Sequence, residues 1–279
     1  MAAVLTAALM HASWNSLVKS AGDKFMTSAR VCLWCGVIAA GVAAATPWPA
    51  YAAWPFVVAS ALIHIVYFVL VGRLYRTADL SVAYPLMRGF APLVATGIAA
   101  ATLGEWPNPL GLGGVLALVA GVVSMGASGL ANGRIDAATV RVALLNAVVI
   151  AVYSVIDGEG ARLSGPGMTH AFAYNAWADF ITALLYAPLL VAWRGRAALS
   201  EFVREPARAA AGGLAAFLGY ALVVWAMTQA EIGAVAALRE SSVLFAAAIG
   251  VLALGEPFKP ARAGATALIL AGVAALKFA

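Results

Sequence analysis

The chain has 279 residues, 64% of them hydrophobic and only 10% charged, with a mean hydropathy of +0.94. A soluble domain carries about 25% charged residues, so this chain cannot clothe a water-facing surface, and its apolar character runs from end to end rather than in one anchor. The net charge of +5 comes from basic residues scattered through short loops, which excludes the clustered basic face of a nucleic-acid-binding protein.

A helix crosses about 30 Å of hydrocarbon with about 20 apolar residues, and segments of that length recur along the chain. The alternating segments of about 10 residues expected of a membrane barrel are absent. Ten spans are predicted, at 2–19, 27–45, 55–75, 81–102, 110–130, 140–157, 169–193, 208–229, 234–254 and 261–278. The first runs from Met1 straight through His11, Trp14 and Asn15 with no basic leader or small-residue cleavage site, so it reads as a membrane helix and not a signal peptide. The second holds Cys32 and Cys35 at C-x-x-C spacing. That spacing signals redox or metal chemistry in soluble proteins, but here it reads as two small apolar residues on one helix face. The third carries His64 and Tyr67, three apart and therefore on one face. The fourth carries Tyr84, Pro85, Arg88 and Pro92.

Thr46-Pro47-Trp48-Pro49, the Gly104–Pro109 stretch, the polar midpoint Asn132–Asp136 and Gly255-Glu256-Pro257 separate spans, because Pro and Gly stop helices and charge holds a loop in water. In the second half, Tyr153 lies in the sixth span, whose end Asp157 and Glu159 are expected to mark. Tyr174, Trp177 and Asp179 lie in the seventh, Tyr220 and Trp225 in the eighth, and Arg239 and Glu240 in the ninth. Gly113, Gly121, Gly264 and Gly272 in spans five and ten read as close-packing positions.

The chain resembles itself at a shift of about 151 residues. Arg88 falls on Arg239, Gly104-Glu105 on Gly255-Glu256, Pro109 on Pro260, Gly113 on Gly264 and Gly121 on Gly272. The reading is an all-α membrane protein of two five-helix repeats, 1–130 and 139–279. An odd number of spans makes the second repeat enter from the opposite side, which is the inverted-repeat plan of secondary transporters, with a central cavity near the midplane. Ala236 stands where Pro85 would repeat and Glu240 where Gly89 would, so the halves are not equivalent.

Lys19, Lys24, Arg30, Arg73, Arg76, Arg134, Arg141, Arg194, Arg196, Arg204, Arg208, Lys259 and Arg262 fall on one side of these spans, and Arg162 and Lys277 on the other. The positive-inside rule then puts the basic loops in the cytoplasm and both termini outside.

An arginine at membrane depth costs roughly 2.5–3.5 kcal/mol on an insertion scale and faces a cavity or a partner. Arg88 and Arg239 are therefore the leading candidates to hold a substrate carboxylate or phosphate with their forked donors. Neighbouring residues diverge on a helix, so Arg239 and Glu240 are expected to have different partners. His64, Tyr67 and Tyr84 offer apolar bodies with polar tips. His11, Trp14, Asn15, Tyr153, Tyr174 and Trp177 complete the candidate substrate contacts. Asp179 and Glu240 are candidates for coupling or ion pairing, and Pro85 and Pro92 for a kink that frees carbonyls toward a cavity.

No nucleotide-binding loop, H-E-x-x-H or G-x-S-x-G is present, so neither an enzyme nor a nucleotide-driven pump is indicated, and no metal or cofactor is called for. The expected partners are a small-molecule substrate and membrane lipid. Both halves lie in one chain, so a monomer is expected to function.

His11-Ala12-Ser13-Trp14-Asn15 with Lys19, the stretch Tyr75–Pro92, Leu103-Gly104-Glu105 and Leu254-Gly255-Glu256 resemble an EamA-type permease of the drug/metabolite transporter superfamily. The resemblance covers the whole chain. It implies a bacterial inner-membrane carrier exporting amino acids or related metabolites by alternating access, and one branch of the family exports aromatic amino acids. Small multidrug carriers of that superfamily use a first-span Glu, which this chain lacks. The alternatives are a carrier of phosphorylated or other anionic metabolites, or a lipid-handling membrane protein.

Overall fold

The computed structural model describes the backbone of residues 1–77, 80–131, 137–254 and 263–279. Among them there are helices and turns and no strand. The helices are α1 (Ala2–Lys19), α2 (Lys24–Ala45), α3 (Trp54–Thr77), α4 (Leu80–Leu103), α5 (Pro109–Ala131), α6 (Ala137–Ser164), α7 (Gly167–Arg194), the short α8 (Ala197–Phe202), α9 (Pro206–Met227), α10 (Ile232–Arg239), α11 (Ser242–Leu254) and α12 (Ala263–Phe278). A 3₁₀ turn (Tyr51–Ala53) leads into α3. Six helical segments among the described residues are long and apolar enough to cross a membrane, and Met87–Leu103, Pro109–Met125 and Ala263–Phe278 are shorter apolar helices.

Local chemistry accounts for the ends. Asp23 caps α2 by accepting from the Met26 N–H at 3.0 Å, and Asn108 caps α5 by accepting from the Gly111 N–H at 2.8 Å, which satisfies amides the first turn cannot. α4 stays one helix through Pro85 and Pro92.

Two boundaries depart from the sequence reading. α6 does not stop at Asp157 but continues to Ser164, because its acidic residues are satisfied inside the bundle. Asp157 is 1% exposed and accepts from the hydroxyls of Tyr174 (3.0 Å) and Tyr220. The expected ninth span is not one helix. α10 ends at Arg239 and α11 begins at Ser242, with Glu240 and Ser241 forming a turn held by i→i+3 bonds such as Val243 N–H to Glu240 C=O at 3.1 Å. A tight stretch of this kind within an otherwise helical run often marks a hinge.

Packing is pairwise. α2 lies on α7, α4 on α10 and α5 on α12; α1 lies on α9 and α11, and α6 on α3 and α4. Lipid tails provide no hydrophobic drive between helices, so small residues that permit close approach decide such contacts. A Cβ on Gly36 would lie 2.1 Å from the Ala183 Cβ, and one on Gly272 2.7 Å from the Gly114 carbonyl and 2.8 Å from the Leu118 N. Gly121 is similarly hemmed in by Ile269 and the Ala265 carbonyl. Gly113 and Gly264 are not packing positions, since a Cβ at either meets nothing within 4 Å, and Gly114 takes the role assigned to Gly113.

Gly272→Val therefore forces rigid backbone apart and is expected to cost about 1–3 kcal/mol, while Gly113→Ala stays within about 0.5 kcal/mol. Unfolding in detergent, followed by tryptophan fluorescence, checks the contrast.

Leu252, Leu184, Leu270 and Val37 stay exposed on the outer faces. Large apolar side chains exposed in this way suit lipid better than water.

Candidate functional site

The helix pairs enclose a cavity of about 110 Å³. α1 contributes His11 and Trp14, α2 Cys32 and Cys35, α3 His64, Tyr67 and Phe68, α4 Arg88, α6 Tyr153, α7 Asp179 and Thr182, α9 Tyr220 and α10 Arg239. Among the described residues, none of α5 or α12 lines it, and the two helices pack on each other.

On the α4–α10 side three charges are buried together. Arg88 is 2% exposed, Arg239 4% and Glu240 1%. Arg88 holds Glu240 through a hydrogen bond from Nε to Oε2 at 2.9 Å and a charge contact from Nη2 to Oε1 at 2.8 Å. A charge-assisted hydrogen bond is the strong form of such a contact, and this one joins α4 to the α10–α11 turn. Arg239 Nε lies 3.6 Å from Glu240 Oε1. The expectation that Arg239 and Glu240 have separate partners holds only in part: the turn after Arg239 breaks the helical spacing, and Glu240 lies within reach of both arginines. The Arg239 guanidinium is stacked over Tyr153 at 6.0 Å and Tyr220 at 5.8 Å, an arrangement that stabilises a desolvated cation. Two guanidiniums and one carboxylate leave this wall one positive charge in excess.

The facing α2–α7 side carries Asp179. Its Oδ2 accepts from the Asn175 side-chain amide at 2.9 Å and the Cys35 thiol at 3.5 Å. Cys32 and Cys35 are free and buried. They are cavity-lining groups, and Cys35 is a hydrogen-bond donor, not merely a small apolar residue.

Between these walls stand rings. His64 lies 4.3 Å from Tyr153, 5.8 Å from Tyr220 and 6.4 Å from Tyr67. Its Nδ1 sits 2.9 Å from the Ser60 carbonyl. A carbonyl only accepts, so Nδ1 carries the proton in this contact.

Several other candidates lie away from the cavity. Asn15 donates to the His11 carbonyl within α1 at 2.8 Å. Tyr174 is buried against Asp157. Trp177 packs with Trp48 and Trp54. None of the three lines the cavity. Pro92 lies in α4 with its carbonyl accepting from Thr96 Oγ1 at 2.8 Å. The side chains of Tyr84 and Pro85 lie outside the described residues, as do those of Arg73, Arg76, Arg134, Lys259 and Arg262, and the Gly255-Glu256 repeat of Gly104-Glu105. Phe68 and Thr182 were missed because nothing in an apolar run distinguishes them from packing residues. Tyr220 stood out only as an aromatic with a polar tip.

A second polar cluster closes one end of the bundle. Arg162, near the end of α6, pairs with Glu105 and, at 3.8 Å, with Glu159. It also donates to the carbonyls of Met227 at 2.9 Å and Ala230 at 3.1 Å. Glu105 accepts in turn from the Ile232 N–H at 2.8 Å. Residues after α4, in α6 and between α9 and α10 are thus tied together.

No curated protein matches the chain. Among solved structures, one titled only "Crystal structure of protein" matches with a TM-score of 0.74 and 20% identity, over 99% of this chain and 95% of that chain. At that identity the likeness speaks for the fold alone. The model of the EamA-like transporter family matches residues 139–278, half of the chain, which takes in α6 to α12 and with them Tyr153, Asp179, Tyr220, Arg239 and Glu240. With its apolar helices and buried polar cavity, the chain is an integral membrane protein and belongs to the EamA-like transporter family.

Proposed function

We propose that the protein carries amino acids, large or aromatic ones among them, across the bacterial inner membrane by alternating access. The observation that carries this reading is one cavity with opposite charge on facing walls and rings between them. A free amino acid presents the complement: a carboxylate for Arg239 and Arg88, an ammonium for Asp179, and a side chain for His64, Tyr67, Tyr153 and Tyr220. The coupling candidates are Asp179 and His64, since both face the same space.

The two-repeat plan is part of this proposal. Ten spans follow if α10 and α11 count as one and α8 as none. Under a two-fold relation of α1–α5 to the second half, α2 on α7, α4 on α10 and α5 on α12 are each a span meeting its equivalent, and α1 on α9 mirrors α6 on α3. The repeats span 1–130 and 139–279, with basic loops in the cytoplasm and both termini outside. The cavity, at about 110 Å³, is well below the roughly 300–1,000 Å³ of a drug-sized site. A large side chain is then admitted when the halves part, and the Glu240–Ser241 turn is placed to act as a hinge.

Asp179→Asn tests the assignment of the poles. A charge-assisted contact contributes about 1.5–3 kcal/mol. Phenylalanine and phenylethylamine should therefore bind the variant roughly ten- to a hundredfold more weakly, while 3-phenylpropionate, which lacks the ammonium, binds as before. Calorimetry on the purified protein reads all three. Equal loss for all three would mean that Asp179 is structural and would remove the support for a zwitterionic ligand.

A further inference from the structure

We infer that Glu240 sets the charge selectivity of the cavity, admitting a singly charged carboxylate and rejecting a doubly charged phosphate ester. The inference rests on the carrier reading above and specifies its substrate class. Glu240 does not line the cavity; the two arginines that it touches do. It therefore acts as a positioning residue through them. It occupies the Nε and Nη2 edges of Arg88 and sits 3.6 Å from Arg239 Nε, so it neutralises one of two guanidiniums from behind and leaves one positive charge facing the ligand.

Among the described residues, the other charged groups nearby do not alter this count at the α4–α10 wall. Asp157 is separated from Arg239 by the ring of Tyr220, to whose hydroxyl it is bonded. Asp179 is engaged on the α2–α7 side by Cys35 and Asn175. A phosphate monoester carries about −1.5 to −2 at neutral pH and would bring a second negative charge into a desolvated site holding a single compensating one. An unpaired buried charge is heavily penalised. Conversely, the repeat position matching Glu240 in the first half is Gly89, so the acid belongs to one half alone.

A charge series makes the test. The wild type holds +1 at this wall, Arg239→Gln holds 0 with the Arg88–Glu240 pair intact, and Glu240→Gln holds +2. Phenylacetate and phenyl phosphate present the same ring with one charge or about two. Binding to the purified protein in lipid nanodiscs at pH 7.5, with phenylalanine as the third probe, should show at least a tenfold preference for phenylacetate in the wild type. Arg239→Gln should lose at least tenfold for both anions, and Glu240→Gln should reverse the order of the two. Glu240→Asp should keep the wild-type order.

If Glu240→Gln does not fold, Glu240→Asp must keep the wild-type order, and a wild type without the preference or an Arg239→Gln that binds both anions undiminished still overturns the inference. A wild type that binds phenyl phosphate as well as phenylacetate overturns the inference, as does an order unchanged by Glu240→Gln. Phenylalanine bound by the wild type in either case leaves the amino-acid reading standing. Phenyl phosphate bound and phenylalanine not bound would sink both, and so would failure of all three probes to bind.

Discussion

Replacing Glu240 with alanine is expected to destabilise the protein by about 3–5 kcal/mol, the cost of stranding a buried arginine without its partner. Arg88→Ala should cost about as much, because among the described residues Glu240 would then retain only Arg239 at 3.6 Å. The double replacement Arg88→Met with Glu240→Leu removes both charges and fills the volume, and it should recover most of the loss, since burying two ions costs several kcal/mol each. Unfolding midpoints in detergent for the two single variants and the double check this. Additive losses would mean that the Arg88–Glu240 contact contributes no coupling. Arg208→Ala, which breaks an exposed pair with Glu205 at 3.4 Å, is the control and should stay within about 1 kcal/mol.

Breaking the Glu105–Arg162 cluster should open the end of the bundle that it ties. Glu105 is 14% and Arg162 28% exposed, so the contact is largely shielded from solvent. Hydrogen bonds to charged groups contribute about 1.5–3 kcal/mol, and each 1.4 kcal/mol is a tenfold change in population. Glu105→Ala also strips the Ile232 N–H of its acceptor. The native Cys32 and Cys35, both on the cavity wall, report the result. A membrane-impermeant maleimide added from the Arg162 side should label them about ten- to a hundredfold faster in Glu105→Ala than in the wild type. An unchanged rate would mean that the cluster does not hold that end closed.

Much of the architecture was legible because membrane helices announce themselves by length and composition. The starts of α2 and α5 follow from Asp23, Asn108 and Pro109. The apolar pattern did not reveal the Glu240–Ser241 turn: Ser241 and Ser242 are unremarkable inside a run of Val, Leu and Ala, and only the Arg88 grip on Glu240 shows why the helix gives way there. The extension of α6 was hidden for the converse reason. Asp157, Glu159 and Arg162 look like a helix end unless Tyr174, Tyr220 and Glu105 are known to be waiting for them. Arg88, Arg239, His64 and Tyr67 were identifiable because polar groups at membrane depth are expensive. Which of Tyr153, Tyr174, Trp177 and Tyr220 would face the cavity was not, since on an apolar helix every face can hold an aromatic ring. Gly113 and Gly114 are adjacent, and a difference of one residue, 100° around the helix, decides which meets α12.

Uptake of radiolabelled phenylalanine into liposomes holding the purified protein, with and without a pH gradient, tests the central claim most directly. Saturable uptake, competed by unlabelled phenylalanine and more weakly by phenylethylamine or 3-phenylpropionate, is the predicted result, and acceleration by the gradient would add proton coupling. Flux no greater than in empty liposomes, with the reconstituted protein shown to be folded, would contradict the assignment of this cavity to amino acids.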